Sequence, residues 1–309
     1  MQKKIVVIGS SNIDYIMKMK RLPKVGETVT DAVFMQVFGG KGANQAVGAA
    51  RAGGNVHFVS CVGDDDTAPR MLEQFLKDGI NTDFVFREKD ISTGSALIMI
   101  GEDGANCISV APGANYRLTP DCIDKALDTI RDAEMVILQY EILPATLEHT
   151  LDLCDKYNKR VLWNFAPARE FDNKYLKKIN ILVVNETEAE ILSGLAVTDD
   201  NSVTRAGEKL RELGCRTVII TLGAKGSVAF SDTGTERIPA FRVDAIDTTA
   251  AGDIYCGTLS VALTEGKSIS EAVRFAGAAA AISVTRMGAQ PSAPTRKEID
   301  DFLIKNSTP

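Results

Sequence analysis

The sequence Asp-Thr-Thr-Ala-Ala-Gly-Asp occupies residues 247–253, directly before an apolar pattern with helical period over residues 254–265. Because the residues before Asp253 are small, several backbone N–H groups at the start of this predicted helix are open to a bulky anion. Phosphate groups bind at helix N-termini of this kind. The alternative is that Asp253 only complements the helix dipole and that the small residues only pack. The stretch by itself leaves both interpretations open.

The composition is that of a folded globular protein. Of the 309 residues, 45% are hydrophobic, 25% are charged and 6% are aromatic, which excludes a disordered or fibrous chain and favours aliphatic packing of helices on a sheet. The net charge of −6 argues against a nucleic-acid partner. A polyanionic ligand would therefore need a local positive field from N–H groups, a few Lys or Arg side chains and bound cations.

Histidine and cysteine are too scattered to form a metal site or a histidine-based triad. The only histidines are His57, in a strand pattern, and His149, in a helical pattern, so general-base chemistry falls to a carboxylate. The cysteines form no Cys-x-x-Cys pair, and we expect them to be buried small residues of a cytoplasmic protein. The sequence predicts neither a signal peptide nor a membrane-spanning helix. The six cysteines are Cys61, Cys107, Cys122, Cys154, Cys215 and Cys256.

Short β-branched runs alternate with helical patterns along most of the chain. This alternation predicts an α/β fold, with a mostly parallel sheet sandwiched by helices in a single domain over residues 1–309. Capping boxes that begin at Ser268 and Thr295 predict the starts of the last two helices. The predicted strands cover residues 5–8, 56–62, 135–139, 161–163, 181–184, 217–221 and 227–230.

Two segments fall outside this alternation and predict a small β-sheet lid. Residues 27–38 are extended and lack helical period, and residues 93–100 and 106–110 alternate around a Gly-Glu-Asp-Gly turn, which is a hairpin signal. We expect the lid to comprise about residues 11–40 and 91–112 and to lie beside the main sheet.

Polar residues follow the predicted strands and are expected to meet at one edge of the sheet, where open α/β folds bind ligands. Asn12 and Asp14 follow the first strand, and Glu141 follows the third. Each has a simpler interpretation as a turn or cap residue; for example, Thr187 could be only a helix cap and Glu188 only a partner of the helix dipole. The functional interpretation depends on the expectation that all of these residues lie at the same edge of the sheet.

Taken in order along nearly the whole chain, these stretches resemble the ribokinase family of sugar kinases. The resemblance implies ATP-dependent phosphorylation of the terminal 5-hydroxyl of D-ribose, with a ribokinase-like α/β fold. The stretches that carry it are Asn12-Ile13-Asp14, Gly-Gly-Lys-Gly-Ala-Asn-Gln-Ala at 39–46, Asn-Glu-Thr-Glu at 185–188, residues 221–226, residues 247–253 and residues 286–292.

The same resemblance implies a catalytic centre at the start of the helix after residue 249. Asp253 would be the general base, and the N–H groups of Ala250, Ala251 and Gly252 would hold the charge of the transferred phosphoryl group. The residues implied for sugar binding are Asn12, Asp14, Gly40, Lys41, Gly42, Asn44, Glu141 and Asp253.

The resemblance also implies sites for the nucleotide and for two cations. Mg²⁺ would arrive with ATP and be held through water by Glu188, and a K⁺ ion would lie beside the anion-binding turn. The residues implied for the nucleotide are Asn185, Thr221, Leu222, Gly223, Ala224, Lys225, Gly226, Gly252 and Gly277. Those implied for potassium are Asp247, Thr249, Ser283, Arg286, Gly288 and Ser292.

Two positions depart from the family pattern. Ala250 stands where many relatives carry glycine, and we expect its φ to be negative because alanine tolerates positive φ poorly. Gly277 stands where relatives often carry a polar side chain near adenine.

Other functions on the same chain remain open at this point. The same fold could phosphorylate another sugar or a nucleoside, such as 2-deoxyribose, fructose or adenosine. Asn12, Asp14 and Glu141 favour a small polyhydroxyl substrate, because no apolar wall for a base is evident near the lid. A more distant alternative is a non-catalytic nucleotide-binding or NAD-dependent α/β protein. Gln45 stands where the dinucleotide fingerprint requires its third glycine, which argues against NAD. The expected partners are ATP and a small sugar, with no nucleic acid and no membrane. The family resemblance also implies a homodimer through the lid strands, which would cover their exposed edges.

Overall fold

The computed structural model describes residues 2–306, and its main element is a nine-stranded sheet. Seven neighbouring strands are parallel, and two antiparallel strands extend the sheet at one edge. Met1 and residues 307–309, which belong to the predicted single domain, lie outside the described residues. From edge to edge the strands are β13 (Gly234–Ile238), β12 (Ser227–Ser231), β11 (Thr217–Thr221), β10 (Ile181–Asn185), β9 (Arg160–Asn164), β8 (Met135–Leu138), β1 (Lys4–Ile8), β4 (Asn55–Gly63) and β5 (Asn81–Glu88).

Helices cover both faces of this sheet, as the alternation predicts, because successive strand side chains point to opposite faces. In β1, Ile5 and Val7 belong to one apolar core, and Val6 and Ile8 belong to the other. The first core is packed by α1 (Lys41–Arg51), α2 (Thr67–Lys77), α8 (Ala251–Thr264), α9 (Ile269–Ser283) and α10 (Arg296–Lys305). The second is packed by α3 (Pro120–Lys125), α4 (Leu127–Arg131), α5 (Pro144–Lys156), α6 (Glu186–Ser193) and α7 (Asp200–Glu212).

A separate four-stranded sheet is built from the two segments in which the sequence predicts a lid. Its order is β3-β2-β6-β7; β2 pairs parallel with β6, and the other pairs are antiparallel. The hairpin of β6 and β7 has the predicted turn between its strands. The strand bounds are β2 (Asn12–Met19), β3 (Val33–Gly39), β6 (Gly94–Gly101) and β7 (Asn106–Ala111).

Several elements differ from the sequence-based expectation. Strands β2, β5 and β13 are not predicted, and residues 27–32, predicted to be extended, are not part of a strand. Between β9 and β10 the chain has only a 3₁₀ helix, Asn173–Lys178, where a helical pattern is expected. Cys107 is exposed on the edge strand β7, whereas the other five cysteines are buried as predicted.

Two glycines let α1 and α8 approach each other closely enough to form the candidate site. A Cβ atom at Gly257 would lie 2.3 Å from the backbone oxygen of Gln45, and a Cβ atom at Gly48 would lie 3.1 Å from the Cα atom of Ile254. Both helices begin at the same edge of the sheet, so this contact places residues 44 and 45 beside Asp253. Among residues 2–306, no helix combines the length and apolar character needed to cross a membrane.

Candidate active site

Asp253 lies in the first turn of α8 with its carboxylate held by two amide side chains. Asn44 Nδ2 donates to Asp253 Oδ2 at 3.0 Å, and Gln45 Nε2 donates to Oδ1 at 3.1 Å. The residue is only 6% exposed. Burial raises the pKa of Asp253 above its ordinary value. The Lys41 ammonium and the two amide donors offset part of this rise. Gln45 is not among the site residues predicted from the sequence, although it lies in the glycine-rich stretch that carries the family resemblance.

A cavity of about 170 Å³ opens next to Asp253 at the carboxyl edge of the sheet. Its walls include Lys41 from α1, Thr221 at the end of β11, and Asn185 and Glu188 at the junction of β10 and α6. Residues 250–252 form another part of the wall. The structure therefore brings together, around one cavity, residues from four separate parts of the chain.

The turn that leads into α8 is strained at Ala250, contrary to expectation. Ala250 has φ of 59° and ψ of 9°, in the left-handed region, so the predicted negative φ is wrong. The Ala251 N–H donates to Thr248 O at 3.2 Å. The N–H groups of Ala250 and Gly252 have no protein acceptor among the described residues. Ala250 directly precedes the helix, whose first N–H groups have no acceptor within the helix.

Replacing Ala250 by glycine should therefore raise the free energy of unfolding, by about 0.5–1 kcal/mol, since glycine avoids the left-handed penalty but loses more backbone entropy on folding. Urea unfolding without ligand would measure the change. Ala251→Gly, at a residue with helical geometry, is the control and should not stabilise the protein. Equal destabilisation by both substitutions would contradict the strain at Ala250.

Carboxylates surround Lys41 on the side of the site that faces the smaller sheet. Asp14 on β2 is 9% exposed, and burial, followed by the negative charges of Glu141 and Asp253, raises its pKa to about 7. A Cβ atom at Gly39 would lie 2.2 Å from Asp14 Oδ2, so glycine is needed where β3 passes this carboxylate. The charges of Asp253, and to a smaller extent Glu141 and Glu188, raise the pKa of Lys41 against its burial.

Glu141 also holds the start of α1, a role that the sequence does not predict. Glu141 Oε2 accepts hydrogen bonds from Ser10 Oγ at 2.6 Å and from the Lys41 N–H at 3.0 Å. Gly40 precedes the helix with φ of 89°, and a Cβ atom there would lie 2.7 Å from the Asn12 backbone nitrogen. The predicted sugar residues thus share one tightly packed corner between β1 and α1.

The orientation of the Asn12 amide is fixed by Asn115, which the sequence does not identify. Asn115 Nδ2 donates to Asn12 Oδ1 at 2.7 Å, and Asn115 Oδ1 accepts from the Ser11 N–H at 2.8 Å. Both asparagines are buried. Because its oxygen is occupied, Asn12 presents its N–H groups as donors. Asn115 lies about a hundred positions along the chain in a 3₁₀ turn, and no local pattern in the sequence marks it.

Asn185 and Glu188 form a capping box at the start of α6. Asn185 Oδ1 accepts from the Glu188 N–H at 2.8 Å, and Glu188 Oε2 accepts from the Asn185 N–H at 2.9 Å, so Asn185, and not Thr187, caps this helix. Within residues 2–306 the second carboxylate oxygen of Glu188 has no protein donor, and burial raises the pKa of this group. An oxygen ligand free to bind a hydrated cation fits Mg²⁺, which keeps most of its waters.

The predicted nucleotide loop follows β11. Thr221 Oγ1 donates to Val184 O at 3.3 Å, the Leu222 side chain is buried, and Gly223, Ala224 and Lys225 form an exposed 3₁₀ turn. Gly226 has φ of 96°, and a Cβ atom there would lie 2.1 Å from Ile238 O. At Gly277, on α9, a Cβ atom would meet no other atom within 4 Å. Gly226 is therefore required by the fold, whereas Gly277 leaves open space.

The residues predicted to hold potassium lie in two loops that Asp247 ties together. Asp247 Oδ1 accepts from Thr249 N–H at 2.9 Å and Thr249 Oγ1 at 2.6 Å, and Oδ2 accepts from Gly288 N–H at 2.9 Å. Burial raises the pKa of Asp247, but these donors bring it below its ordinary value. Ser283 and Ser292, close to Gly288 in the sequence, are buried, and their hydroxyls donate to Ala280 O and Ala289 O. Carbonyl and hydroxyl oxygens of this kind suit a large monovalent cation.

A preformed divalent cage is absent from the described part of the chain: no three His, Cys, Asp or Glu side chains there are grouped as metal ligands.

Comparison with known proteins places this chain in a family. The model of the pfkB family carbohydrate kinases matches residues 2–296. A ribokinase of Haemophilus influenzae is 42% identical over 304 residues, which cover 98% of this chain and 99% of the relative. A deoxyribokinase of Salmonella typhi is 36% identical over 303 residues, with 98% and 99% coverage. The structure of Arabidopsis thaliana ribokinase complexed with ribose and ATP is similar, with a TM-score of 0.92, 34% identity and coverage of 98% of this chain and 99% of that one.

Proposed function

The chain belongs to the pfkB family of carbohydrate kinases, and from that premise we propose that it transfers the γ-phosphoryl group of ATP to the terminal 5-hydroxyl of D-ribose. The observation that carries the proposal is the Asp253 carboxylate, held by two amides at the edge of a cavity where two N–H groups of a helix start are open. Similarity to ribokinases, one of them complexed with ribose and ATP, supports ribose as the acceptor.

In this proposal Asp253 accepts the proton of the 5-hydroxyl as the oxygen attacks phosphorus. Phosphoryl transfer depends mainly on positioning and on stabilisation of charge at the phosphoryl oxygens. The open N–H groups of Ala250 and Gly252 and the Lys41 ammonium would supply that stabilisation, with the Ala251 N–H shared between Thr248 O and the phosphoryl group. Donors of this kind in other enzymes each contribute about 10²–10³-fold in rate.

The sugar would bind between the smaller sheet and α1. Asp14, Asn44 and Glu141 offer acceptors, Asn12 offers the donor that Asn115 fixes, and the backbone of Gly40 and Gly42 completes the pocket. Buried polar groups discriminate strongly against a substrate that lacks the matching hydroxyl, because they would be left unpaired. The smaller sheet would then act as a lid over the bound sugar.

The nucleotide and its cations would occupy the other side of the cavity. Glu188 would hold Mg²⁺ through water, and Mg²⁺ supplies charge neutralisation of the phosphates when bound. Oxygens of Asp247, Thr249, Ser283, Arg286, Gly288 and Ser292 would hold K⁺. A cation there would stiffen the two loops that Asp247 already connects, and so support the turn at Ala250.

A substrate panel tests the proposed function. We expect ADP release with ATP and Mg²⁺ to be fastest with D-ribose, slower with 2-deoxyribose and fructose, and slow with adenosine, because Asn12, Asp14 and Glu141 favour a small polyhydroxyl acceptor. The rate should rise when K⁺ replaces a small monovalent cation such as Li⁺. The second candidate function is phosphorylation of 2-deoxyribose in preference to ribose, which the similarity to a deoxyribokinase favours. Turnover with adenosine, together with a lack of turnover with every sugar of the panel, would overturn the proposal.

The smaller sheet also presents an apolar surface that we propose a second copy of this chain covers. All six residues of the edge strand β7 are exposed, and large apolar side chains stand out from β3, β6 and β7. Unpaired strand edges with apolar side chains associate readily. The register places Val33, Ile108 and Val110, at 52–64% relative exposure, on one face of the sheet, and this face is the proposed contact. Phe34 and Leu97, at 55% and 48%, are exposed on the opposite face.

A double substitution, Ile108→Glu with Val110→Glu, is expected to convert a homodimer to monomer, because both residues lie on the same face of β7 and the change buries charges in the proposed contact. Light scattering after size-exclusion chromatography would measure the mass. Leu76→Glu, at a comparably exposed leucine on α2, is the matched control and should leave the mass unchanged. A monomeric unmodified protein would contradict the proposed contact. The cytoplasmic location stays a prediction from the sequence.

A further inference from the structure

Gln45 touches Asp253 but has no role in the mechanism described above. Its side chain is fully buried, at 0% exposure, in the first turns of α1. Gln45 Nε2 donates to Asp253 Oδ1 and to Asn164 Oδ1, each at 3.1 Å, and Gln45 Oε1 accepts from Gln139 Nε2 at 2.7 Å. Both N–H groups and the oxygen of the amide are therefore used inside the protein.

The neighbours of Gln45 allow only one orientation of its amide. A carboxylate can only accept, so the NH₂ group must face Asp253. Asn164 Nδ2 donates to Val183 O at 3.2 Å, which turns the Asn164 oxygen toward Gln45. A rotated amide would place the Gln45 oxygen against two acceptor oxygens.

The backbone is also built to admit this arrangement. A Cβ atom at Gly9 would lie 1.9 Å from Gln139 Oε1, and a Cβ atom at Gly257 would lie 2.3 Å from the backbone oxygen of Gln45. Glycine at these two positions thus makes room for the Gln139 side chain at the sheet edge and for α1 against α8.

Gln45 differs from its neighbour Asn44 in what it can do for a ligand. Within the described chain, the Asn44 oxygen is buried and has no hydrogen-bond partner, so Asn44 keeps one unused acceptor although, like Gln45, it does not line the cavity. Gln45 has no free polar atom and does not line the cavity. It can act only through the group that it holds.

We propose that Gln45 is a positioning residue that fixes the Asp253 carboxylate in one rotation and leaves Oδ2, shared with Asn44, toward the acceptor hydroxyl. The inference rests on the proposed role of Asp253 as the base. Gln139 and Asn164 hold Gln45 in turn, so three amides from α1, β9 and the end of β8 set the direction of one carboxylate. Sub-ångström placement of a reacting group matters because misplacement by about 1 Å can cost about 10²-fold in rate.

The test is Gln45→Met, which keeps the length of the side chain and removes its hydrogen bonds. We expect kcat to fall about 10- to 100-fold with KM for ribose and ATP nearly unchanged. The acidic limb of kcat/KM should also move to higher pH, because removal of a donor to the carboxylate raises the pKa of Asp253. A role confined to packing would change stability without moving this limb.

Gln74→Met is the matched control. Gln74 Nε2 donates to Asp78 Oδ2 at 3.1 Å, so the substitution removes the same kind of bond from α2, away from the site. It should leave kcat and the pH profile unchanged. If Gln45→Met does not fold, Gln45→Leu removes the same hydrogen bonds without adding a charge and gives the same readout. An unchanged pH limb in the folded variant would overturn the proposal.

Asp253→Asn separates failure of this inference from failure of the proposed function. If Asp253→Asn keeps normal turnover, Asp253 is not the base and the proposed mechanism fails together with the inference. If Asp253→Asn is inactive while Gln45→Met matches the unmodified enzyme in kcat and pH profile, only the inference fails. If the proposed function and the inference are both correct, the variant that combines Asp253→Asn with Gln45→Met should be no slower than Asp253→Asn alone, because Gln45 then acts only through Asp253.

Discussion

Asp253→Asn is expected to lower kcat by about 10²–10⁴-fold, the range for loss of a general base, while ribose and nucleotide still bind. Asparagine has nearly the same size and cannot take the proton of the sugar hydroxyl. The position is buried and surrounded by Lys41, Asn44 and Gln45, so the substitution changes one charge without opening a cavity. Steady-state ADP release gives kcat, and titration calorimetry with ribose and with a nucleotide analogue gives the binding constants.

The control for this experiment is Asp124→Asn, which removes a partly exposed carboxylate bonded to His149 outside the site. It should leave turnover unchanged. The asparagine introduced by Asp253→Asn has one oxygen for two amide donors, so its NH₂ group would face one of them, which can lower stability. Thermal unfolding of both variants must therefore show that the Asp253 variant is folded. Turnover within a few-fold of the unmodified protein would remove Asp253 from the mechanism.

Lys41→Met should have the second largest effect, lowering kcat by about 10²-fold or more, because it removes the cation that faces the phosphoryl group. Lys41 lies among Asp253, Glu141 and Glu188, whose charges keep it protonated. Its loss also raises the pKa of Asp253, since the ammonium is the strongest influence that lowers it. The base is then less ionised at a given pH, so the deficit should be greatest at low pH and partly recover as the pH rises.

The pH dependence of kcat/KM checks this prediction. Lys41→Arg keeps the charge but not the shape, and it should keep the acidic limb closer to that of the unmodified enzyme. Lys3→Met, at an exposed lysine paired with Glu134, is the control for loss of a positive charge elsewhere. A Lys41→Met enzyme with an unchanged acidic limb would contradict the electrostatic coupling between Lys41 and Asp253.

Much of the fold follows from the sequence because buried strands and capped helices leave strong local patterns. Strand β11 and the capping boxes at Ser268 and Thr295 occur where predicted. The misses have physical causes. Strand β2 begins with Asn12 and Asp14, polar residues that face a site and so read as a turn. Strand β5 is a half-buried edge strand with mixed polar residues, which gives no clear period.

The candidate site is harder to predict from the sequence, because its residues are defined by contacts between distant segments. The family resemblance supplies Asp253, Asn44 and Glu141, but it does not reveal that Ser10 and Asn115 fix their neighbours. The left-handed conformation of Ala250 is also mispredicted, because alanine ordinarily avoids it, although the glycine that many relatives carry at this position is compatible with it. Such strain persists only where the surrounding fold enforces it.

The most direct measurement is a crystal structure with ribose and a non-hydrolysable ATP analogue. The distance of interest joins a carboxylate oxygen of Asp253 to the 5-oxygen of the sugar. Our account predicts about 2.6–3.2 Å, with the γ-phosphate against the N–H groups of Ala250 and Gly252. A 5-hydroxyl bonded to another side chain, with the Asp253 carboxylate beyond hydrogen-bond reach, would contradict it.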